Sequence, residues 1–498
     1  MKNQVQLIAY ADRVGGGGLA ELRSLLAGPL NGVFGGLHLL PFYHPIDDAD
    51  AGFDPIDHTR VDARLGSWED IRQLADQIEL MADVIVNHIS ADSPQFRDYL
   101  AHGAASRYAG LFLTREAVFP GSASPAQLQA IYRPRPGLPF TEVVLASGER
   151  QTLWTTFTSK QIDIDVRHQQ GHAYLARVLG TLAANGIRMV RLDAVGYAIK
   201  QAGTSCFMLP ETFDFIGEFA LQARELGIEV LVEIHSYYRT QLEIAARVDW
   251  VYDFALPPLL LHAHAYCTTA CLKEWIRIRP HNSLTVLDTH DGIGIIDIGA
   301  DAGDRSARPG LVPPAELERL VEIIHRRTCG ESERATGAAA SNLDLYQVNS
   351  TYYDAMGRDR RAYLLARAIQ FFLPGIPQVY YVGLLAGQND MALLARTGVG
   401  RDINRHYYSR ADLEARLRMP VVAALLELIR WRNAHPAFSG EFSLGDTPDD
   451  QLLLHWQRGA HYARLEANFT TGSWSLRASA IAAGDPDYIC TDSTVLQR

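Results

Sequence analysis

The chain has 498 residues, a net charge of −11 and 47% hydrophobic residues, enough for one large core with a satellite domain. Acidic and basic residues are intermixed with no basic stripe, which argues against nucleic acid as a partner. Any anionic substrate must be drawn in by locally placed arginines against the overall field.

No stretch approaches the roughly 18–20 apolar residues of a membrane span, so no membrane association is expected. The segment running from Met1 into Val5–Tyr10 carries neither an apolar core nor a cleavage site of a secretory signal. Five cysteines (Cys206, Cys267, Cys271, Cys329 and Cys490) form an odd, scattered set, which fits reduced thiols in a cytoplasmic protein. Cys267 and Cys271 have no companions to complete a zinc site. No metal and no organic cofactor are expected.

In chain order, eight short apolar runs read as strands: Val5–Tyr10, Gly36–Pro41, Ala82–Asn87, Met189–Asp193, Glu229–Glu233, Trp250–Phe254, Leu284–Asp288 and Gln378–Tyr381. Between them stand amphipathic helical patterns at Leu19–Leu26, Trp68–Ile78, Ala173–Ala184, Phe213–Leu226 and Arg361–Phe372. The alternation predicts an α/β chain, a (β/α)₈ TIM barrel with two inserted segments and a small C-terminal β domain. The barrel is assigned to 1–87, 166–290 and 352–432, with an insertion at 88–165 after strand three and another at 291–351 after strand seven. Residues 433–498 form the C-terminal domain, with strand-like runs at Leu452–Trp456 and Tyr462–Glu466. Gly15–Gly18 lacks the Gly-Lys-Ser/Thr ending of a phosphate-cradling loop and reads as a flexible turn.

Three of the apolar runs deliver a carboxylate: Asp193 after Arg191-Leu192, Glu233 after Val230-Leu231-Val232, and Asp291 after Thr289-His290. Parallel strands bring such ends to one rim of a barrel, and three convergent acids suit cleavage of a glycosidic bond. Arg191 and Asp193 stand two apart, so alternation places both on one face of the strand, where a guanidinium keeps the carboxylate ionised and aimed.

With Asp83-Val84-Ile85-Val86-Asn87-His88, these motifs occur in order on strands three, four, five and seven, and the whole chain resembles the α-amylase superfamily, glycoside hydrolase family 13. Four further segments are similar to the sucrose-cleaving phosphorylases of that superfamily: Asp50–His58, Tyr132–Phe140, Asn342–Asn349 and Gly400–Tyr407. The resemblance implies Asp193 as nucleophile, Glu233 as acid/base and Asp291 as the clamp that distorts the glucosyl ring. His88, His290 and Arg401 would complete the sugar pocket, with Asp50 and Phe53 as its floor and Gln161 and His235 facing it.

Arg135, held between two prolines, is a stiffly mounted guanidinium suited to phosphate. Tyr346 and Gln347 are donors on the second insertion. The resemblance adds that Asp344 and Gln347 meet fructose, while Arg135 and Tyr346 meet phosphate after the loop shifts. The implied partners are sucrose, inorganic phosphate, fructose and α-D-glucose 1-phosphate, and the implied assembly is a homodimer. The acids alone leave open a sibling phosphorylase (acting on sucrose 6′-phosphate or glucosylglycerate), a plain glucoside hydrolase, or a non-catalytic sugar-binding barrel. The chain departs from the family in a short C-terminal region and in Lys160 before Gln161.

Overall fold

The computed structural model describes residues 1–46, 51–133, 137–301, 308–336, 347–482 and 486–492. Eight parallel strands close into a barrel: β1 Gln6–Ala9, β2 Gly36–Leu39, β3 Glu79–Ile85, β4 Ile187–Asp193, β5 Glu229–Val232, β6 Trp250–Asp253, β7 Ser283–Thr285 and β8 Ile376–Tyr380. Each strand lies beside its neighbour in sequence, and β8 closes on β1 through Gln6 opposite Gln378 and Leu7 opposite Val379. All eight stand where the apolar runs put them; β4 ends at Asp193 as expected and the other seven have shorter carboxyl ends. The ladder of β7 stops at Thr285 although Val286 and Leu287 stay buried, because the rim loops cover the chain after it has left its partners.

The five expected helices are present as Gly18–Ala27, Trp68–Ala75, Gln169–Ala184, Pro210–Glu225 and Arg360–Phe372. The outer layer also contains Tyr238–Ala245, Leu256–Tyr266, Ala270–Ile278 and Pro420–Ala434. Leu256–Tyr266 shows why periodicity misses some of them. Its residues from Leu256 to Ala263 are all buried, so it has no polar face to set a period. The tetraglycine is less free than a flexible turn. Gly18 has φ 68°, and a Cβ there would stand 2.5 Å from the Leu65 carbonyl oxygen.

A file of polar side chains runs up the barrel. Gln378 Nε2 donates to Gln6 Oε1 at 2.7 Å, and the Tyr252 hydroxyl donates to Gln378 Oε1 at 3.3 Å. That hydroxyl also lies 3.5 Å from His38 Nδ1, whose ring reaches Asp83 Oδ2 through Nε2 at 3.0 Å. Buried polar atoms are tolerated only when bonded, and here each bonds to the next.

The segment after β3 leaves and returns through an antiparallel clasp in which Gln161 faces Ser90 and Asp163 faces His88. A smaller clasp, Gly294 opposite Gln347 and Ile293 opposite Val348, joins the ends of the segment after β7. Five antiparallel strands follow the barrel: β9 Glu441–Leu444, β10 Gln451–Arg458, β11 His461–Asn468, β12 Ser473–Ala478 and β13 Tyr488–Thr491. Alternate residues of β10 (Leu452, Leu454, Trp456) are buried, and Trp456 Nε1 donates to the Phe372 carbonyl at 2.6 Å, seating the sheet against the barrel's last helices.

Asp253, at the end of β6, accepts from Arg279 Nε at 2.7 Å and from Trp275 Nε1 at 2.8 Å with its side chain 0% exposed. Breaking one half of a buried pair leaves an uncompensated charge, so Asp253→Ala is expected to destabilise the protein by about 3–5 kcal/mol. The paired replacement Asp253→Leu with Arg279→Met should cost less than the sum of the single changes. Shifts in urea midpoint check both.

Candidate active site

The carboxyl end of β4 turns Arg191 and Asp193 to the same side. Arg191 Nη1 donates to Asp83 Oδ1 at 2.6 Å and to Asp193 Oδ1 at 2.9 Å, and Nη2 stands 3.8 Å from Glu233 Oε2. One guanidinium, 2% exposed, is thus shared by three carboxyl groups. Burial pushes the Asp193 carboxyl up to about 8, with Glu233, Asp83 and Asp291 adding to the shift and Arg191 opposing it. The shorter contact to Arg191 favours the negative charge on Asp193.

Asp291 sits in the loop after β7. Its Oδ1 lies 2.8 Å from Arg401 Nη1 and 3.9 Å from Arg405 Nη2, and its Oδ2 lies 3.5 Å from His290 Nε2. Against the cost of burial, Arg401 and Arg405 hold Asp291 well below the usual carboxylate range. Burial also drives His290 far below the ordinary imidazole range, so it meets Asp291 as a neutral ring and the arginines supply the charge. The main chain here is held too: Asn404 Nδ2 donates to the Thr289 carbonyl at 2.8 Å and Arg405 Nε to the His290 carbonyl at 2.9 Å.

Phe53 stacks on His290 with centroids 4.6 Å apart and planes 10° apart, and the Arg191 guanidinium lies 5.5 Å from the Phe53 ring. His88 reaches the Phe53 carbonyl through Nε2 at 3.1 Å and meets Phe157 edge-on. The flat, partly apolar face of a pyranose suits such a surface.

His235 Nε2 lies 3.8 Å from Glu233 Oε1, and its Nδ1 pairs with Asp297 Oδ2 at 2.7 Å. Phe53, His88, Arg191, Asp193, Glu233, His235, His290, Asp291 and Arg401 therefore form one cluster. Gln161 is buried on the first clasp, and its side chain accepts from Thr158 Oγ1 at 3.2 Å. Gln347 is half-buried on the second clasp, opposite Gly294. Asp50, Arg135, Asp344 and Tyr346 lie outside the described residues.

Sequence reasoning missed Asp83, His38, Asp297 and Arg405 as parts of the site. Asp83 and Arg405 lie inside quoted motifs, and alternation along β3 turns Asp83 toward the same interior as Arg191. Asp297 follows a run of Gly and Ile with no polar pattern, and His38 stands alone within an apolar strand. Nothing in the sequence marks either.

Glu233, His235 and Asp291 each offer a ligand atom, all within 4.8 Å of one another, an arrangement able to hold a metal ion. A cation there would face the guanidiniums of Arg191 and Arg401, which already balance these carboxylates. The set suits a neutral, hydroxyl-rich ligand better.

Comparison with known proteins follows this geometry. Residues 33–237 match the family model described as the α-amylase catalytic domain. The chain is 57% identical to a sucrose phosphorylase of Agrobacterium vitis, over 96% of this chain and 98% of that protein. It is 54% identical to a sucrose phosphorylase of Bifidobacterium adolescentis, over 93% and 92% of the two chains. The crystal structure of sucrose 6F-phosphate phosphorylase from Thermoanaerobacter thermosaccharolyticum superposes with a TM-score of 0.90 at 36% identity, covering 98% of each chain. The chain belongs to the sucrose phosphorylase family of the α-amylase superfamily.

Proposed function

We infer that the chain is a retaining transglucosidase that moves the glucosyl unit of sucrose to inorganic phosphate, giving α-D-glucose 1-phosphate and D-fructose. The observation that carries this reading is the single Arg191 guanidinium placed between Asp193 and Glu233, joined to likeness at 57% identity over nearly the whole chain.

In the first displacement Asp193 Oδ attacks the anomeric carbon as the bond to fructose breaks. Glu233 gives its proton to the departing oxygen. The glucosyl unit is then held as an ester of Asp193, inverted at C1. A phosphate oxygen attacks the same carbon, the ester bond breaks, and Glu233 takes the phosphate's proton. Two inversions give net retention.

Asp291, held ionised by Arg401 and Arg405, accepts hydrogen bonds from ring hydroxyls that strengthen as the sugar flattens. Phe53, His88 and His290 shape the sugar face. We assign Asp50 to the pocket floor and Arg135, Gln161, His235, Asp344, Tyr346 and Gln347 to the side where fructose leaves and phosphate arrives.

In this reading 1–87, 166–290 and 352–432 form the catalytic barrel, 88–165 and 291–351 the acceptor-side insertions, and 433–498 the C-terminal domain. Five free thiols support a cytoplasmic location. Among the described residues no helix is long and apolar enough to cross a membrane. A homodimer is carried over from the family likeness. The second reading is a sibling donor, sucrose 6′-phosphate, favoured by the structural superposition and disfavoured by the higher identity to enzymes named for sucrose.

Incubation with sucrose and inorganic phosphate is expected to yield glucose 1-phosphate and fructose in equal amounts. Glucose as the main product would make the chain a hydrolase, and no product would point to the sibling donor. Replacing Glu233 by Gln should lower kcat on sucrose by about 10²–10⁴-fold. With a donor whose leaving group needs no proton, such as α-glucosyl fluoride, the same variant should accumulate a glucosyl adduct. Mass spectrometry should find that adduct on the peptide carrying Asp193, and an adduct elsewhere would remove the nucleophile assignment.

The nucleophile must be ionised to attack, and burial raises the Asp193 carboxyl to about 8. As pH drops below that value the ionised fraction of Asp193 shrinks, so kcat/KM for sucrose should fall. A profile flat from alkaline to acid pH would contradict the raised ionisation of Asp193.

A further inference from the structure

The Asp297 carboxylate meets the sugar-binding cluster through His235, and every one of its oxygens is bonded. It is 0% exposed. Its Oδ1 accepts from the Ser236 backbone N–H at 3.2 Å and from Gln241 Nε2 at 3.0 Å, and its Oδ2 faces His235 Nδ1 at 2.7 Å. A backbone N–H and a side-chain amide can only donate, so Oδ1 serves as an acceptor. Burial raises the Asp297 carboxyl, but His235, Ser236 and Gln241 oppose that rise; an ionised Oδ2 accepts the Nδ1 proton of His235, leaving Nε2 to take a second proton.

The ring has little freedom to turn. It stacks on Phe254 with centroids 3.8 Å apart and planes 15° apart. Gly294 closes over the pair: a Cβ there would fall 1.9 Å from Asp297 Oδ2 and 2.8 Å from His235 Nδ1. Nε2 therefore faces one way, toward Glu233 Oε1 at 3.8 Å. Because Glu233 protonates the leaving oxygen and deprotonates the acceptor, a group just beyond its carboxyl stands on the acceptor side. Gln347 stands opposite Gly294 on the second clasp.

We propose that Asp297 is a positioning residue that fixes His235 as an imidazolium aimed at the acceptor site, and that this buried pair favours phosphate over water in the second displacement. The proposal rests on the transglucosidase reading above. A dianion gains from a fixed cation in a water-poor site, whereas neutral water gains little. Burial opposes charging the ring, but Asp297 overrides it, with Glu233 and Asp291 helping, so the imidazole is raised above its ordinary range. In a chain of net charge −11 such a local cation matters more than the overall field.

The test is Asp297→Asn, which keeps size and an acceptor for Nδ1–H but removes the charge. The expected result is a rise of about tenfold or more in KM for phosphate and a similar fall in the ratio of glucose 1-phosphate to glucose. The rise in KM for phosphate should exceed any change in KM for sucrose by about fivefold or more, a split that mere structural damage would not produce. An unchanged product ratio, or sucrose and phosphate kinetics falling together, would overturn the proposal.

Should the variant not fold, ¹⁵N-histidine spectra of the wild-type enzyme decide instead, with His235 assigned by its loss in His235→Gln. A doubly protonated ring at neutral pH supports the proposal and a singly protonated ring defeats it. Wild-type enzyme assayed alongside separates the two failures. Absence of glucose 1-phosphate there overturns the functional reading, and phosphate preference retained in Asp297→Asn overturns only the role of Asp297.

Discussion

The active site rests on the placement of one guanidinium. Arg191 is buried where a cation is costly to desolvate, and it stays charged because Asp83 and Asp193 both bond to the same Nη1 while Glu233 lies near the other. Removing the arginine would leave three carboxyls crowded in a space from which water is largely excluded. Removing Asp83 would free the guanidinium to swing. Asp193 and Glu233 thus take their aim from Arg191, and that residue is aimed in turn from below by His38 and Asp83.

That dependence explains why the barrel has a polar spine where an apolar core would be simpler. Gln6, Gln378, Tyr252, His38 and Asp83 connect the floor to the rim, each bonded to the next, with Gln6 Nε2 the one amide end of this file left unpaired among the described residues, at the floor. Such networks confer rigidity when complete and are costly when broken. Asp291 is held differently. Its side chain is gripped by Arg401 and Arg405, and the Thr289 and His290 carbonyls by Asn404 and Arg405, all from the segment after β8. Asp193 is thus referenced to the barrel interior and Asp291 to a neighbouring loop.

Much of this was legible in the sequence, for reasons that differ by residue. The strands ended in acids because parallel strands buried on both faces are continuous apolar runs, and a carboxylate at their end is conspicuous. Arg191 and Asp193 could be paired from a spacing of two. Helix Leu256–Tyr266 could not be read from period, since it is buried on nearly all sides. Asp297 was invisible because its partner His235 lies 62 positions away and its surroundings are glycine and isoleucine. Arg405 lay within a noticed motif, but only folding reveals that it reaches back to the His290 carbonyl and Asp291. Local pattern yields strands and their ends; long-range bonds between single residues leave no such trace.

The two clasps at the rim carry a further consequence. Each long excursion leaves and re-enters through a few paired residues, His88–Ser90 with Gln161–Asp163 and Ile293–Gly294 with Gln347–Val348. Whatever lies beyond a clasp can change length or composition while the entry and exit stay fixed, because the entropy of closing a loop grows only slowly with its size. Evolution could therefore rewrite these excursions while the barrel rim, Arg191 and the acids it joins stay as inherited parts.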